Sequence, residues 1–265
     1  MELMNFRGRW ALVTGASSGL GLAMAHCLAR DYGANVVAVA RRADRLASLQ
    51  AELTSRYGVQ VVSIVADLTQ PTDVTRIFET ATAGRDLYAA ILNAGVTFYG
   101  QVLEQDPATF DAMLSTNVTS VVRLSQLFSR YLADRAEGGG LMLVSSVASF
   151  APIPFQTTYA ATKSFVTSFG GGLAQELRDR NVSVTVFAPG GIATEMLELS
   201  GLSAKFKAGD LGVMDAETCA RLALRAFARR RALYVPGALN KVLALAMKVV
   251  PSRLMLPQIR RTYER

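Results

Sequence analysis

Tyr159 and Lys163 stand four residues apart in a segment, residues 157–180, that reads as one long helix, so both side chains project from the same face. A phenol with an ordinary pKa of about 10 exchanges protons poorly near neutrality. A neighbouring ammonium favours the phenolate and moves that pKa towards the working range. The pair is therefore a candidate acid–base unit, able to give a proton to an oxygen or take one back. Taken alone, it also describes an exposed helix pair. His26 and Trp10 carry no comparable role. Cys27 and Cys219 lie far apart without metal-ligand spacing, so they read as buried thiols of a reducing compartment, and no metal is expected.

A second cluster lies near the start, where Thr14-Gly15-Ala16-Ser17-Ser18-Gly19-Leu20-Gly21 falls between a short apolar run and an amphipathic stretch. Glycines let the backbone turn tightly and approach a pyrophosphate, whose charge the following helix start favours. Downstream, a second apolar run ends in Ala40-Arg41-Arg42. An acidic residue there would bond the ribose 2′-hydroxyl of NAD, whereas arginine accepts a 2′-phosphate, so the pocket reads as NADP-preferring. The alternative is that Arg41 and Arg42 form a solvated helix start.

These residues need elements to hold them. Strand-like runs at residues 11–13, 35–40, 59–65, 87–92, 141–145, 182–187 and 233–235 alternate with helical patterns at 20–30, 43–57, 71–83, 107–135, 157–180 and 215–229. Continuous apolar strands separated by helices predict an α/β fold, a single doubly wound Rossmann domain with a mostly parallel seven-stranded sheet and helices on both faces. Two segments interrupt the rhythm. Residues 195–214 follow a strand's carboxyl end and read as a substrate lid within a domain spanning 1–237. Residues 238–265 are apolar with Lys241 and Lys248, then broken by Pro251, then basic; they form an amphipathic extension packed on or near that domain.

In their order and spacing these pieces resemble the short-chain dehydrogenase/reductase family, in its compact branch. The matching set is the glycine turn, Asp67, Asn93-Ala94-Gly95, Asn117, Ser146, Tyr159-Ala160-Ala161-Thr162-Lys163, and Pro189-Gly190 with Thr194. The resemblance implies that Ser146 holds the substrate oxygen, Lys163 bonds the nicotinamide ribose, and Asn117 anchors a water of the proton relay. For Asn117 a local helix hydrogen bond is the alternative. It also implies that Asp67 and Leu68 sit near the adenine, Asn93, Ala94 and Gly95 beside the adenosine ribose, and Pro189, Gly190, Ile192 and Thr194 against the nicotinamide. Gly191 departs from the pattern and is expected to loosen its loop.

The expected activity is NADP(H)-dependent interconversion of a ketone or aldehyde and its alcohol, with NADP(H) preferred over NAD(H). Phe98, Tyr99, Phe150, Pro152, Phe155 and Met196 flank the expected pocket and suggest a small apolar substrate. Two alternatives are a cofactor-binding regulator with little turnover and a reductase of lipid or acyl ketones at a membrane surface, touched by the basic tail. The net charge of +7 comes from scattered residues apart from Arg229-Arg230-Arg231 and the tail, so nucleic acid is not an expected partner. The resemblance further implies a homodimer or homotetramer. The first ten residues carry charge and no apolar run, and no stretch reaches the roughly 18–20 apolar residues of a membrane span. A cytoplasmic location is expected, with membrane-peripheral attachment as the variant.

Overall fold

A computed structural model describes residues 2–135, 137–206 and 209–264. In chain order the elements begin β1 (Trp10–Thr14), α1 (Gly19–Tyr32), β2 (Asn35–Ala40), α2 (Ala43–Tyr57), β3 (Val61–Val65), α3 (Pro71–Thr82) and β4 (Leu87–Leu92). They continue with α4 (Pro107–Leu114), α5 (Ser120–Ala133), β5 (Gly139–Val144), α6 (Thr157–Glu176) and β6 (Val182–Phe187). The last third holds β7 (Gly191–Ala193), α7 (Glu195–Leu199), β8 (Val213–Asp215), α8 (Ala216–Ala228), β9 (Leu233–Tyr234), α9 (Ala238–Val249) and α10 (Ser252–Tyr263).

Seven strands form one sheet in the order β3-β2-β1-β4-β5-β6-β9, every neighbouring pair parallel. Alternating side chains sort to two buried layers. Ala11, Val13, Val36, Ala38, Ala89 and Ile91 pack with α1, α2 and α8. Leu12, Val37, Val39, Ala90 and Leu92 pack with α3, α5 and α6. With both faces covered, the strands are mostly apolar, with Ser63, Ser183 and Thr185 the interior exceptions, which is why they read as nearly continuous runs. The order reverses between β1 and β4, and in such sheets the crevice beyond the strands' carboxyl ends at that point receives the ligand. Cys27 and Cys219 are fully buried in the α1–α8 layer, where burial pushes their thiols up to about 11 and about 12.

Three local features depart from the sequence-based expectation. The helix expected over 107–135 is divided, because residues Ser115–Thr119 form a π-helical stretch between α4 and α5. Gly191 does not loosen its loop: it opens β7, which pairs with β8, and a Cβ on it would lie 3.1 Å from a Val213 methyl. The two-residue repeat of so short a pair gives no periodic signal. Finally, the chain after Pro251 forms a second helix, α10, with Pro257 inside it. No helix among the described residues is long and apolar enough to cross a membrane.

Candidate active site

The turn after β1 is shaped by backbone that only glycine adopts easily, with φ of 72° at Gly15 and 53° at Gly19. A Cβ on Gly21 would stand 2.3 Å from the Gly15 carbonyl oxygen, so the first turn of α1 lies directly on the loop. Ser18 caps that helix without a side-chain hydrogen bond, and its first turn holds no acid, leaving the N–H donors open to an anion. Thr14 fastens this loop to the end of β4: its Oγ1 accepts from the amides of Asn93 and Ala94 at 3.0 Å each, and Asn93 Nδ2 donates to its carbonyl at 2.9 Å. Gly15 packs on the same pair, so glycine turn and Asn93-Ala94-Gly95 form one floor. These residues suit a dinucleotide's phosphates and ribose.

The four acid–base candidates converge over that floor. Asn117, fully buried in the π-helical stretch, bonds Val96 on both sides of its amide: Oδ1 accepts from Val96 N and Nδ2 donates to Val96 O, both at 2.9 Å. Nδ2 also reaches Thr162 Oγ1 at 3.1 Å. The bonds are long-range, not the local helix bond that stood as an alternative. Lys163, only 4% exposed, donates from Nζ to Val144 O at 2.9 Å. A Cβ on Gly95 would lie 3.3 Å from both Lys163 Nζ and Asn117 Oδ1, which fixes how closely the three groups meet. Ser146 follows β5 by two residues and caps the short 3-10 turn Val147–Phe150, its Oγ accepting from Ala148 N at 3.1 Å. Its hydroxyl also bonds the Tyr159 phenol.

The electrostatics differ from the expected lowering of the phenol. Burial pushes the Tyr159 phenol above its ordinary value, and the Ser146 hydrogen bond pulls it only partly back. Lys163 Nζ lies 5.8 Å from the ring centroid and spends its hydrogen bond on Val144, so its charge meets the face of the ring. Burial also lowers Lys163 itself to about 8.

Of the two arginines, Arg41 is exposed, whereas Arg42 reaches back to the glycine turn, with Nε and Nη2 each 3.2 Å from Ser17 Oγ. Its Nη1 also pairs with Glu195 at 2.9 Å, and Arg45 holds the other oxygen of that carboxylate at 3.1 Å. The Arg42 guanidinium, with help from Arg45 and Ser18, holds the Glu195 carboxyl below its usual range. Asp67 accepts from Thr69 N and Thr69 Oγ1, both at 3.0 Å, and Leu68 packs on the sheet's second layer. Pro189 O accepts from Val147 N at 2.8 Å, Gly190 packs on Asn240, and Ile192 lies against the first layer. A Cβ on Gly19 would be 3.0 Å from a Thr194 methyl, so this segment closes over the glycine turn.

Sequence reasoning missed several residues here. Glu195 and Arg45 were not singled out, since an ion pair spanning 150 residues leaves no local pattern. Tyr263 was missed for the same reason. Tyr99 Oη donates to Tyr263 O at 2.7 Å, the Tyr263 ring lies 5.4 Å from that of Phe206, and burial together with the Tyr159 and Tyr99 phenols pushes Tyr263 up to about 12. The end of α10 thus stands beside Tyr159. Phe150, expected at the pocket, lies under Lys248 Nζ at 4.7 Å. Residues 207–208 of the expected lid and residue 265 of the tail lie outside the described residues.

A family model described as short chain dehydrogenase matches residues 9–203. The very-long-chain 3-oxoacyl-CoA reductase of Anas platyrhynchos is 32% identical over 197 residues, which are 73% of this chain and 62% of that protein. The match therefore spans less than two thirds of that reductase's own length. The 17-beta-hydroxysteroid dehydrogenase type 3 of Rattus norvegicus is 28% identical over 257 residues, 93% of this chain and 78% of that one. Among solved structures, a short-chain dehydrogenase from Sphingobium yanoikuyae in complex with NADPH superposes with a TM-score of 0.83 at 29% identity, covering 93% of this chain and 95% of its own.

The buried ammonium makes stability depend on pH. Below about 8 the Lys163 side chain is charged in both states; from there up to its ordinary 10.5 the unfolded chain still binds the proton and the folded chain does not. Unfolding free energy should therefore rise with pH across that window. In urea titrations at several pH values, the stability of the wild type relative to Lys163→Met should grow as pH increases from 8 to 10. Parallel curves would mean that the ammonium is not desolvated.

Proposed function

The chain belongs to the short chain dehydrogenase family of oxidoreductases, and on that premise we propose that it interconverts an apolar ketone or aldehyde and its alcohol with NADP(H). The observation that carries this reading is the convergence of Lys163 Nζ and Asn117 Oδ1 on Gly95, beside a Ser146 hydroxyl bonded to Tyr159. A nicotinamide cofactor, when bound, would supply hydride to the carbonyl carbon or take it from the alcohol. Tyr159 gives its proton to the carbonyl oxygen, and in reverse accepts the alcohol proton. Burial keeps the Tyr159 phenol protonated at neutral pH, the form that gives its proton to a carbonyl oxygen. Ser146 holds the reacting oxygen. Lys163 would hold the nicotinamide ribose, and Asn117 would order the water through which the proton is replaced.

The cofactor would lie along Gly15, Ser17–Gly21, Asp67, Leu68, Asn93–Gly95 and Pro189–Thr194. Arg42, with Arg41, would take the 2′-phosphate, since the guanidinium already faces Ser17 and the turn. Glu195 competes for the same guanidinium and must yield some of it when the phosphate arrives. For the substrate, the aromatic group Tyr99, Phe206 and Tyr263 beside Tyr159 favours an apolar body, as do relatives that are named for 3-oxoacyl-CoA and 17-beta-hydroxysteroid. We read 1–237 as the catalytic domain and 238–265 as a strap whose end borders the cleft. The rival reading, a regulator that binds cofactor without turnover, is disfavoured because all four acid–base positions are filled.

The tail favours one further reading, docking at an anionic membrane surface. Val242, Leu245, Val249 and Leu254 of α9 and α10 are more than 60% exposed, and Lys241, Lys248, Arg253, Arg260 and Arg261 are interspersed with them. Copies of the chain are expected to pair through α4, α5 and α6, where Phe110, Leu114 and Phe165 are exposed.

Three measurements bear on these readings. Tyr159→Phe should lower kcat on a ketone panel by about 10²–10⁴-fold, the range for a lost general acid, while NADPH fluorescence still reports binding; full activity would displace Tyr159 as the acid. Arg42→Ala should raise the KM for NADPH about tenfold to a hundredfold, as for a lost charge-assisted hydrogen bond, with the KM for NADH unmoved. An equal rise for both cofactors would assign Arg42 to the fold of the turn. Liposomes of anionic lipid should pellet the full chain and not a chain ending at Gly237; equal pelleting would discard membrane docking.

A further inference from the structure

The run Arg229-Arg230-Arg231 has no part in the reaction proposed above. Arg230 adopts a left-handed backbone, φ 55°, and sends its guanidinium to the Glu2 carbonyl at 2.9 Å. Its two neighbours instead line a cavity of about 690 Å³ framed by α8, β9 and α9. Five cations border this cavity, Arg225, Arg229, Arg231, Lys241 and Lys248, and no carboxylate does. Among the described residues none of the five forms an ion pair, although Arg221 on the same helix pairs with Glu217.

Helix stability explains only part of this gathering. Arg225 and Arg229 close α8, where the dipole welcomes a cation, but Lys241 stands in the first turn of α9, where it does not, and no acid offsets it there. Like charges brought together from three segments repel unless something anionic lies between them. The remaining wall is apolar. Lys248 sits over the Phe150 ring at 4.7 Å and Lys241 over the Tyr234 ring at 5.4 Å, so both ammonium groups are kept at the cavity's edge above an aromatic and aliphatic floor completed by Ala244 and Leu245. The volume falls within the range of about 300–1,000 Å³ typical of small-molecule sites.

We propose that this cavity is a second binding site, which takes an amphiphile bearing a phosphate head: the phosphate lies among the arginines and lysines, and the hydrocarbon lies on Phe150, Tyr234 and Leu245. The site is distinct from the nucleotide cleft, since none of Asn117, Ser146, Tyr159 or Lys163 lines it.

Calorimetric titration of the full chain with dodecyl phosphate, below its micelle concentration and with saturating NADPH present, tests this. Inorganic phosphate and dodecyl maltoside serve as head and tail alone. One saturable dodecyl phosphate site per chain is expected, at least about tenfold tighter than phosphate, with no binding of the maltoside. Arg229→Glu combined with Lys241→Glu should weaken it at least about tenfold, and Leu245→Gln should weaken dodecyl phosphate without changing phosphate. Circular dichroism checks that the charge-reversed chain is folded; if it is not, Leu245→Gln decides. Vesicles of phosphatidylglycerol that displace the probe identify a bilayer headgroup as the source, and vesicles that do not identify a dissolved amphiphile. Loss of binding when NADPH is present, equal affinity for phosphate alone, or no effect of either variant overturns the proposal.

Discussion

A lysine ammonium held almost out of water is the constraint around which the cleft is organised. Taking such a charge from solvent is unfavourable, and Val144 O offsets part of that cost by receiving one of the Lys163 protons. That acceptor must be where it is. Val144 is the last residue of β5, and Ser145 Oγ, just beyond it, donates to the Lys163 carbonyl at 2.9 Å, tying strand end to helix. Asn117 is in turn locked by Val96 and Thr162. The acid–base group is therefore a junction of β4, β5, α6 and the π-helical stretch.

The glycine-turn side is built on a different principle, close backbone contact. Thr14 links the ends of β1 and β4 where the strand order reverses, and the glycines allow α1 and Thr194 to approach what a side chain would keep apart. Glu195 ties the start of α7 to this floor by pairing with Arg42, while Arg45 holds its other oxygen.

Much of this was legible in the sequence because the information is local. Strands buried on both faces read as apolar runs, and all seven were found within a few residues. The helical period puts Tyr159 and Lys163 on one face, but it is the ordered set of motifs along the chain that singles them out, as it does the glycine turn between strand and helix. What escaped depends on distance along the chain or on very short elements. β7 and β8 have three residues each, too few for a period. The contacts of Glu195 with Arg42 and of Tyr99 with Tyr263 join residues 153 and 164 apart. The expected direction of the Tyr159 pKa failed for a related reason: spacing reveals that an ammonium is near, but not that it faces the ring and bonds Val144.

The π-helical stretch at Ser115–Thr119 has a consequence for how this chain tolerates changes in length. A π turn is an α-helix carrying one residue more than its period allows. Removing one residue from it restores a continuous α-helix with both flanks in phase. Winding the same residues as α-helix, or deleting one outside the π turn, would instead rotate everything on one side by about 100° relative to the other. Asn117 would swing away from Val96, or Leu124 and Phe128 would leave the sheet they now cover. Here the fold counts residues, and the phase of one helix is set by two destinations that an ordinary period does not reach together.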